Sequence, residues 1–226
     1  MKKFLLILVL SIGTLNALAQ QKQTDSLKQL LRSTKADTSR AKLLVELSRK
    51  YYLKKPDSGL IYATQALTIS KRIGNKSGQV HALSQIGFSL WLLGNRPAAL
   101  ETFIASLNIA TAINDQWSIA RNYDGMSCVY SEQGEVKTGI AYAHKAEIIF
   151  AQLHDYENVV DELMDLSDFY GANAKPDSSL YYSKKALELS VKINEFTWHL
   201  KYYQERARSI LVYIITNSDS ISCTTL

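Results

Sequence analysis

The chain contains the stretch KPDSGLIY at residues 55–62 and repeats it as KPDSSLYY at residues 175–182, 120 positions later. Between the two copies, side chains of the same type recur every 40 positions, as in the columns Leu60, Leu100, Ile140, Leu180 and Ala66, Ser106, Ala146, Ala186. A fixed period with helical spacing inside each repeat is typical of stacked helix pairs. The sequence therefore predicts an all-α solenoid with a 40-residue period and about four and a half repeats.

Each repeat is predicted to hold a helix A followed by a helix B. In the first repeat we expect helix A over 39–53, after N-cap oxygens from Asp37-Thr38-Ser39, and helix B over 58–73, capped by Asp57 or Ser58. Gly74-Asn75 and Gly94-Asn95 should end helices, because glycine adopts the left-handed conformation without steric cost. Further helices are predicted over 78–93, from Pro97 onward, and over 117–133, 136–153, 156–171, 178–193 and 196–213.

The first 19 residues have the pattern of a secretory signal peptide. Lys2 and Lys3 precede an apolar run, and Ala17-Leu18-Ala19 forms a small-residue cleavage site. The run is well short of the ~20 apolar residues that a membrane span needs. We therefore expect cleavage near Ala19 and a periplasmic or secreted protein.

The rest of the chain divides into three predicted segments. An N-terminal capping helix is expected within 20–36, the repeats within 37–215, and an irregular polar tail over 216–226. Two explanations of the tail stay open: a frayed natural C-terminus, or a longer chain that has been cut or shifted in frame.

Composition argues against several functional classes. The formal net charge is +5, but Lys2 and Lys3 belong to the leader and the other basic residues are scattered, so no nucleic-acid partner is expected. Cys128 and Cys223 are the only cysteines. Whether they pair stays open, and the simpler interpretation of Cys128 is a small residue on a helix face.

Small residues recur where two helices must approach closely. Gly87, Ser127 and Ser167 form a column in helix A, and Leu90, Tyr130 and Tyr170 follow three positions later. This spacing resembles the tetratricopeptide repeat over residues 38–213, with Ile86-Gly87, Leu90, Ala99 and Phe103 as its best local match. The period exceeds the standard ~34 residues and approaches that of HEAT repeats, but the small-residue columns favour the tetratricopeptide family. The resemblance implies a right-handed solenoid of antiparallel helix pairs.

A narrower resemblance is to exported repeat proteins of Bacteroidetes-type bacteria. It depends on the leader, on Asp25-Ser26-Leu27, on Asp37-Thr38-Ser39-Arg40 and on the repeated Lys-Pro-Asp-Ser. In many of those proteins the repeats form the sensing half of a membrane histidine kinase or a helix-turn-helix regulator. The resemblance thus implies two alternatives: a stand-alone scaffold, or a truncated sensor with a membrane-tethered signalling partner.

In tetratricopeptide proteins, helix A of each repeat lines a concave groove that holds a peptide or protein. Carried over by column, the resemblance implies a partner-binding groove that is aromatic toward its N-terminal end and acidic toward its C-terminal end. An apolar anchor and a basic group would suit it, although the aromatic rings could instead pack between helices. The predicted groove residues are Tyr51, Tyr52, His81, Ser84, Phe88, Trp91, Arg121, Asp124, Asp161 and Asp168.

No catalytic motif is recognisable in the sequence, so we predict a non-catalytic protein without a cofactor. His144 and Glu147 share a helix face, but two ligands are too few for a structural zinc site. Glu162, Asp165 and Asp168 form an acidic stripe that we interpret as a solvated face, and no metal site is predicted. The sequence leaves the identity of the partner and the oligomeric state open.

Overall fold

The computed structural model describes residues 22–193, which are all helical or in short turns. The chain divides into two compact units, unit 1 over Met1–Thr102 and unit 2 over Phe103–Leu226. The first helix, α1, spans 22–33. The others are α2 (Asp37–Tyr51), α3 (Pro56–Arg72), α4 (Lys76–Leu92), α5 (Arg96–Ala112), α6 (Gln116–Glu132), α7 (Val136–Gln152), α8 (Tyr156–Ala172) and α9 (Pro176–Ile193).

From α3 onward the helices begin every 20 residues, and the turns between them share one geometry. A left-handed residue precedes each new helix by two positions, as in Gly74 (φ 67°), Gly94 (φ 79°) and Gly134 (φ 84°). Asn114, His154 and Ala174 occupy the equivalent positions, although they are not glycine. The following amide donates back into the helix, for example from Asn75 N to Ser70 O at 2.9 Å. This is the Schellman closure, which allows a connection of three residues.

The helix starts differ in part from the sequence-based expectation. Side-chain oxygens of Asn75, Asp115 and Asp155 each accept a hydrogen bond from an amide of the first helical turn. The predicted caps of the first repeat are wrong, because α2 and α3 follow Ala36 and Lys55, neither of which makes a side-chain cap. Pro56 occupies the first position of α3, where its missing N–H costs nothing, and so the helix starts before Asp57.

Unit 1 packs α3 against α2 and α4. Its core contains Leu44 and Val45 from α2, Ala66 from α3 and Ala82 from α4. A Cβ atom at Gly59 would lie 2.9 Å from Tyr52 Cα, so the small residue is required where α3 approaches the end of α2. Ser48 Oγ donates to Gly59 O at 2.8 Å, which links the same two helices through a buried hydrogen bond.

Unit 2 packs α7 against α6 and α8, and α8 against α9. Its main core cluster includes Ala120, Ala146, Phe150, Leu163 and Ala186, so the small-residue columns are buried between helices. The aromatic column also pairs regularly. Tyr130 stacks on Tyr142 and Tyr170 on Tyr182, at centroid distances of 5.4 and 5.2 Å.

The predicted fold class is confirmed: the described helices form the antiparallel pairs of a tetratricopeptide-like solenoid. Within residues 22–193, no helix is long and apolar enough to cross a membrane. Several predictions fall outside the described residues. They are the signal peptide over 1–19, the helix over 196–213, the tail over 216–226 and the pairing of Cys128 with Cys223.

Candidate functional site

The residues predicted to line a groove lie on the A helices of both units. In unit 1 they come from the end of α2 and from α4, which contact each other, and in unit 2 from α6 and α8, which also contact each other. The structure therefore contains two candidate surfaces, and each is described within its own unit.

In unit 1, Tyr52, Phe88 and Trp91 form a group that we call the aromatic cluster. The Phe88 ring centroid lies 6.1 Å from that of Tyr52 and 6.5 Å from that of Trp91. Phe88 is only 3% exposed and belongs to the packed interior, whereas Tyr52 and Trp91 are half-buried. The indole Nε1 of Trp91 is buried and has no hydrogen-bond partner among the described residues. The outer rings of this cluster are therefore the ones that a partner can reach.

The remaining predicted residues of unit 1 are Tyr51, His81 and Ser84. Tyr51 is half-buried and packs on Tyr62, with ring centroids 5.5 Å apart. His81 is half-buried on α4. Ser84 is buried and its hydroxyl donates to Val80 O at 3.1 Å, within its own helix. Ser84 and Phe88 are thus interior residues, whereas Tyr51 and His81 are partly exposed.

In unit 2, Asp124 and Cys128 of α6 lie against Glu162 and Asp165 of α8, and we call these four residues the acidic cluster. The Cys128 thiol lies 3.9 Å from Asp124 Oδ1 and 3.9 Å from Asp165 Oδ2, so it bridges carboxylates of the two helices. Arg121, one turn before Asp124, forms a hydrogen-bonded ion pair with Asp124 Oδ2.

Burial governs the electrostatics of the acidic cluster. It raises the pKa of Glu162 well above the usual carboxyl range, and the neighbouring Asp124 and Asp165 raise it further. It also raises the pKa of Asp124, although the Arg121 guanidinium opposes that shift. Burial, followed by the charges of Asp165 and Asp124, raises the pKa of the Cys128 thiol well above its ordinary value. The cluster therefore stabilises protons or another cation.

The structure corrects the interpretation of the acidic stripe on α8. Glu162 is only 1% exposed, so the expectation of a solvated face is wrong for this residue. Asp161 and Asp168, the two predicted groove residues of α8, are partly exposed. Sequence reasoning placed Asp124 in the groove, Cys128 on a helix face, and Glu162 and Asp165 on the stripe, but did not bring the two pairs together. The helical spacing within each pair was the available signal.

His144 and Glu147 form a separate polar group on α7. His144 Nδ1 lies 3.4 Å from Glu147 Oε2, and Lys185 Nζ of α9 lies 2.7 Å from Glu147 Oε1. Hydrogen bonding from His144, followed by Lys185, lowers the pKa of Glu147 despite its partial burial. The Glu147 carboxylate already binds two side chains, so this group links α7 to α9.

Comparison with solved structures identifies the type of fold. No protein-family model matches the sequence, and no curated protein matches it either. Solved structures do match. One is a Rap protein complexed with competence and sporulation factor, with 18% sequence identity, a TM-score of 0.76, and coverage of 92% of this chain and 62% of that one. The fold is tetratricopeptide-like.

Two further structures share this tetratricopeptide-like fold. Aspartyl phosphate phosphatase F from Bacillus subtilis has 16% identity and a TM-score of 0.73, with 91% of this chain and 56% of that chain covered. A signal-transduction ATPase with a tetratricopeptide repeat sensor, from Pyrococcus horikoshii, has 15% identity and a TM-score of 0.66, with coverage of 92% and 34%. The chain thus spans less than two thirds of each of these three proteins.

Proposed function

We propose that this protein is an exported, non-catalytic scaffold that holds a peptide or protein partner on its A helices. The observation that carries the proposal is the aromatic cluster, whose outer rings, Tyr52 and Trp91, are partly exposed on neighbouring A helices. Large rings in a preformed, partly desolvated surface are typical anchors of protein partners. The Rap protein of similar fold was solved with competence and sporulation factor bound.

Export is part of the same proposal. Its support is the pattern of residues 1–19, in which two lysines, an apolar run and a small-residue site follow one another. The mature protein would then meet its partner in the periplasm or outside the cell. N-terminal sequencing of the protein from a native envelope fraction tests this, and a mature start near Gln20 is the expected result.

A sensor role is the second candidate. The observation in its favour is the Pyrococcus horikoshii protein, in which a tetratricopeptide repeat part is the sensor of a larger signalling chain. Sequencing the gene beyond the codon for Leu226 distinguishes the two candidates. A reading frame that continues into a membrane span and an output domain supports the sensor, and a stop codon supports the scaffold.

The binding test uses the full mature chain as bait for a random-peptide display library, followed by titration of the selected peptide. The variant Trp91→Ala removes an outer ring of the aromatic cluster. Tyr181→Ala is the matched control, because Tyr181 is an aromatic residue with 59% exposure on α9, a B helix. We expect Trp91→Ala to raise the dissociation constant of the selected peptide at least about tenfold, which is the typical effect of losing one anchor residue.

The control must bind as the wild type does, and both variants must keep the helical circular-dichroism signal. Equal affinity in Trp91→Ala and the wild type would contradict the placement of the site on the aromatic cluster. Failure to select any peptide from the library, with folded bait, would contradict the peptide-binding function itself.

A further inference from the structure

In the acidic cluster of unit 2, three side chains that commonly bind metals lie within reach of one another, and a fourth, Glu162, is buried near them. Asp124 and Cys128 are four residues apart on α6, and Glu162 and Asp165 are three apart on α8, so each pair shares a helix face. Ligand atoms of Asp124, Cys128 and Asp165 all lie within 4.8 Å of one another. Such a separation allows three side chains from two helices to reach a single ion.

A second, independent observation comes from Glu162. Its side chain is 1% exposed, and its Oε2 atom is buried with no hydrogen-bond partner among the described residues. The carboxyl lies close enough to Asp124 and Asp165 for their charges to act on it. A buried carboxyl oxygen without a hydrogen-bond partner is costly whether or not the group is ionised. A cation beside it would remove that cost, so this atom indicates a ligand.

The geometry around the thiol points the same way. The Cys128 thiol faces the carboxyl groups of Asp124 and Asp165, and Arg121 contacts Asp124 through Oδ2. Asp124 Oδ1 is directed instead at Cys128, on the side where Asp165 lies. A divalent cation at that point would lie between the sulfur and one oxygen from each of the two helices.

We propose that Asp124, Cys128 and Asp165 form a binding site for one divalent cation of the zinc type, with the buried Glu162 carboxyl beside it. A thiolate with carboxylates suits Zn²⁺, because Mg²⁺ and Ca²⁺ select oxygen ligands alone. With the usual Zn–S and Zn–O bond lengths, tetrahedral ligands lie about 3.5 Å apart. The observed sulfur–oxygen distances of 3.9 Å therefore need only a small closure.

Metal binding at this site has a proton balance. The Cys128 thiol loses its proton to solvent when the ion binds, because the thiolate is the ligand. Arg121 remains on Asp124 Oδ2 and orients that carboxylate from the second coordination shell. The site would therefore tighten as the pH rises.

A rival occupant is the basic side chain of a bound partner, which would also neutralise the acids. That occupant gives no role to the thiol, whereas a metal binds it directly. Cobalt distinguishes the two, since Co²⁺ bound to thiolate gives a charge-transfer band in the near ultraviolet. The experiment is a Co²⁺ titration of the full mature chain, under reducing conditions and after removal of metals with a chelator.

We expect a charge-transfer band that saturates at one equivalent of Co²⁺, is displaced by Zn²⁺ and is unaffected by Ca²⁺. Cys128→Ser should abolish the band, and Glu162→Gln should weaken Co²⁺ affinity at least about tenfold. The matched controls are Cys223→Ser, at the other cysteine, and Asp177→Asn, an acid in the first turn of α9. Both controls should retain the wild-type band.

Absence of the band in the wild type overturns the proposal, and so does a band that persists in Cys128→Ser or is lost in Cys223→Ser. If circular dichroism shows that a variant does not fold, the test becomes a measurement of proton release from the wild-type protein. Addition of Zn²⁺ to weakly buffered protein should then acidify the solution by at least one proton per chain. No release at a saturating metal concentration contradicts the site.

Discussion

The A helices of the two units share a repeat pattern, but at equivalent positions they carry side chains of different chemical type. Asp124 and Cys128 of unit 2 occupy the repeat positions of Ser84 and Phe88 in unit 1, 40 residues earlier. In unit 1 these positions are filled by a hydroxyl bonded to its own helix and by a packed ring. In unit 2 they hold an ion-paired carboxylate and a thiol. The repeat thus sets the backbone, while residues between the small-residue columns determine which chemical groups each unit buries.

The largest difference between the units should appear at the position shared by Phe88 and Cys128. Phe88→Ala should lower the free energy of unfolding by about 3–5 kcal/mol, because it empties a packed site. Cys128→Ala should cost about 1 kcal/mol or less, since a half-buried thiol fills little volume. Urea denaturation followed by circular dichroism measures both. A stable Phe88→Ala protein that no longer binds its peptide would instead make Phe88 the partner anchor.

Transferring the acid of unit 2 into unit 1 tests whether the surroundings matter. Ser84→Asp should lower the free energy of unfolding by about 3 kcal/mol at pH 7, because the buried carboxylate lacks the partner that Arg121 supplies to Asp124. His81→Arg in the same chain recreates the three-residue spacing of Arg121 and Asp124 and should recover part of the loss. Denaturation of both variants at low and high salt is the measurement. A neutral effect of Ser84→Asp would show that this position is open to water.

The acidic cluster should make stability depend on pH in the metal-free protein. Burial raises the folded-state pKa of Glu162 and of Asp124, so the native state holds protons that the unfolded chain has released. The free energy of unfolding should therefore fall as the pH rises from about 4, the carboxyl pKa of the unfolded chain, through the folded-state pKa values. Denaturation at pH 5 and pH 8 with a chelator present measures this fall.

Glu162→Gln is the matched variant for that pH dependence, since it keeps the shape and removes the titration. The difference in stability between pH 5 and pH 8 should be smaller in this variant than in the wild type. Ala82 occupies the same repeat position in unit 1 and cannot titrate. An unchanged pH dependence in Glu162→Gln would show that the effect arises elsewhere.

The smallest expected effects are those of the surface ion pairs. Arg72 bonds Asp37 at 3.0 Å in unit 1, and Lys185 bonds Glu147 at 2.7 Å in unit 2. Arg72→Met should change the free energy of unfolding by only about 0.5 kcal/mol, and Lys185→Met by up to about 1 kcal/mol because Glu147 is more buried than Asp37. Denaturation at two salt concentrations measures the difference. If both variants lose the same free energy of unfolding at low and high salt, the loss would come from packing of the aliphatic part of the side chains.

Much of the fold was predictable because its signals are local. The helix pairs and the glycine turns at Gly74 and Gly94 follow from residues close together in the chain, and the 40-residue period can be read from the sequence without any contact being known. The turns at Asn114, His154 and Ala174 were harder to predict, because residues other than glycine rarely adopt positive φ. The same Schellman closure is present there, with Asp115 N donating to Ala110 O at 2.9 Å and Asp155 N to Phe150 O at 3.0 Å. The predicted helix starts at Ser39 and Ser58 lie two residues after the observed starts at Asp37 and Pro56, because a hydroxyl side chain near a helix start resembles an N-cap in the sequence.

By itself the sequence determined an all-α chain of tetratricopeptide-like helix pairs, since periodicity and turn chemistry act within a few residues. It also placed aromatic side chains on the first A helices and acidic ones on the later A helices. Only the tertiary structure decided that Phe88 is interior and that Glu162 is buried beside Asp124 and Cys128. The physical reason is that contact between α6 and α8 depends on the rotation and register of two packed helices, which no single helix encodes.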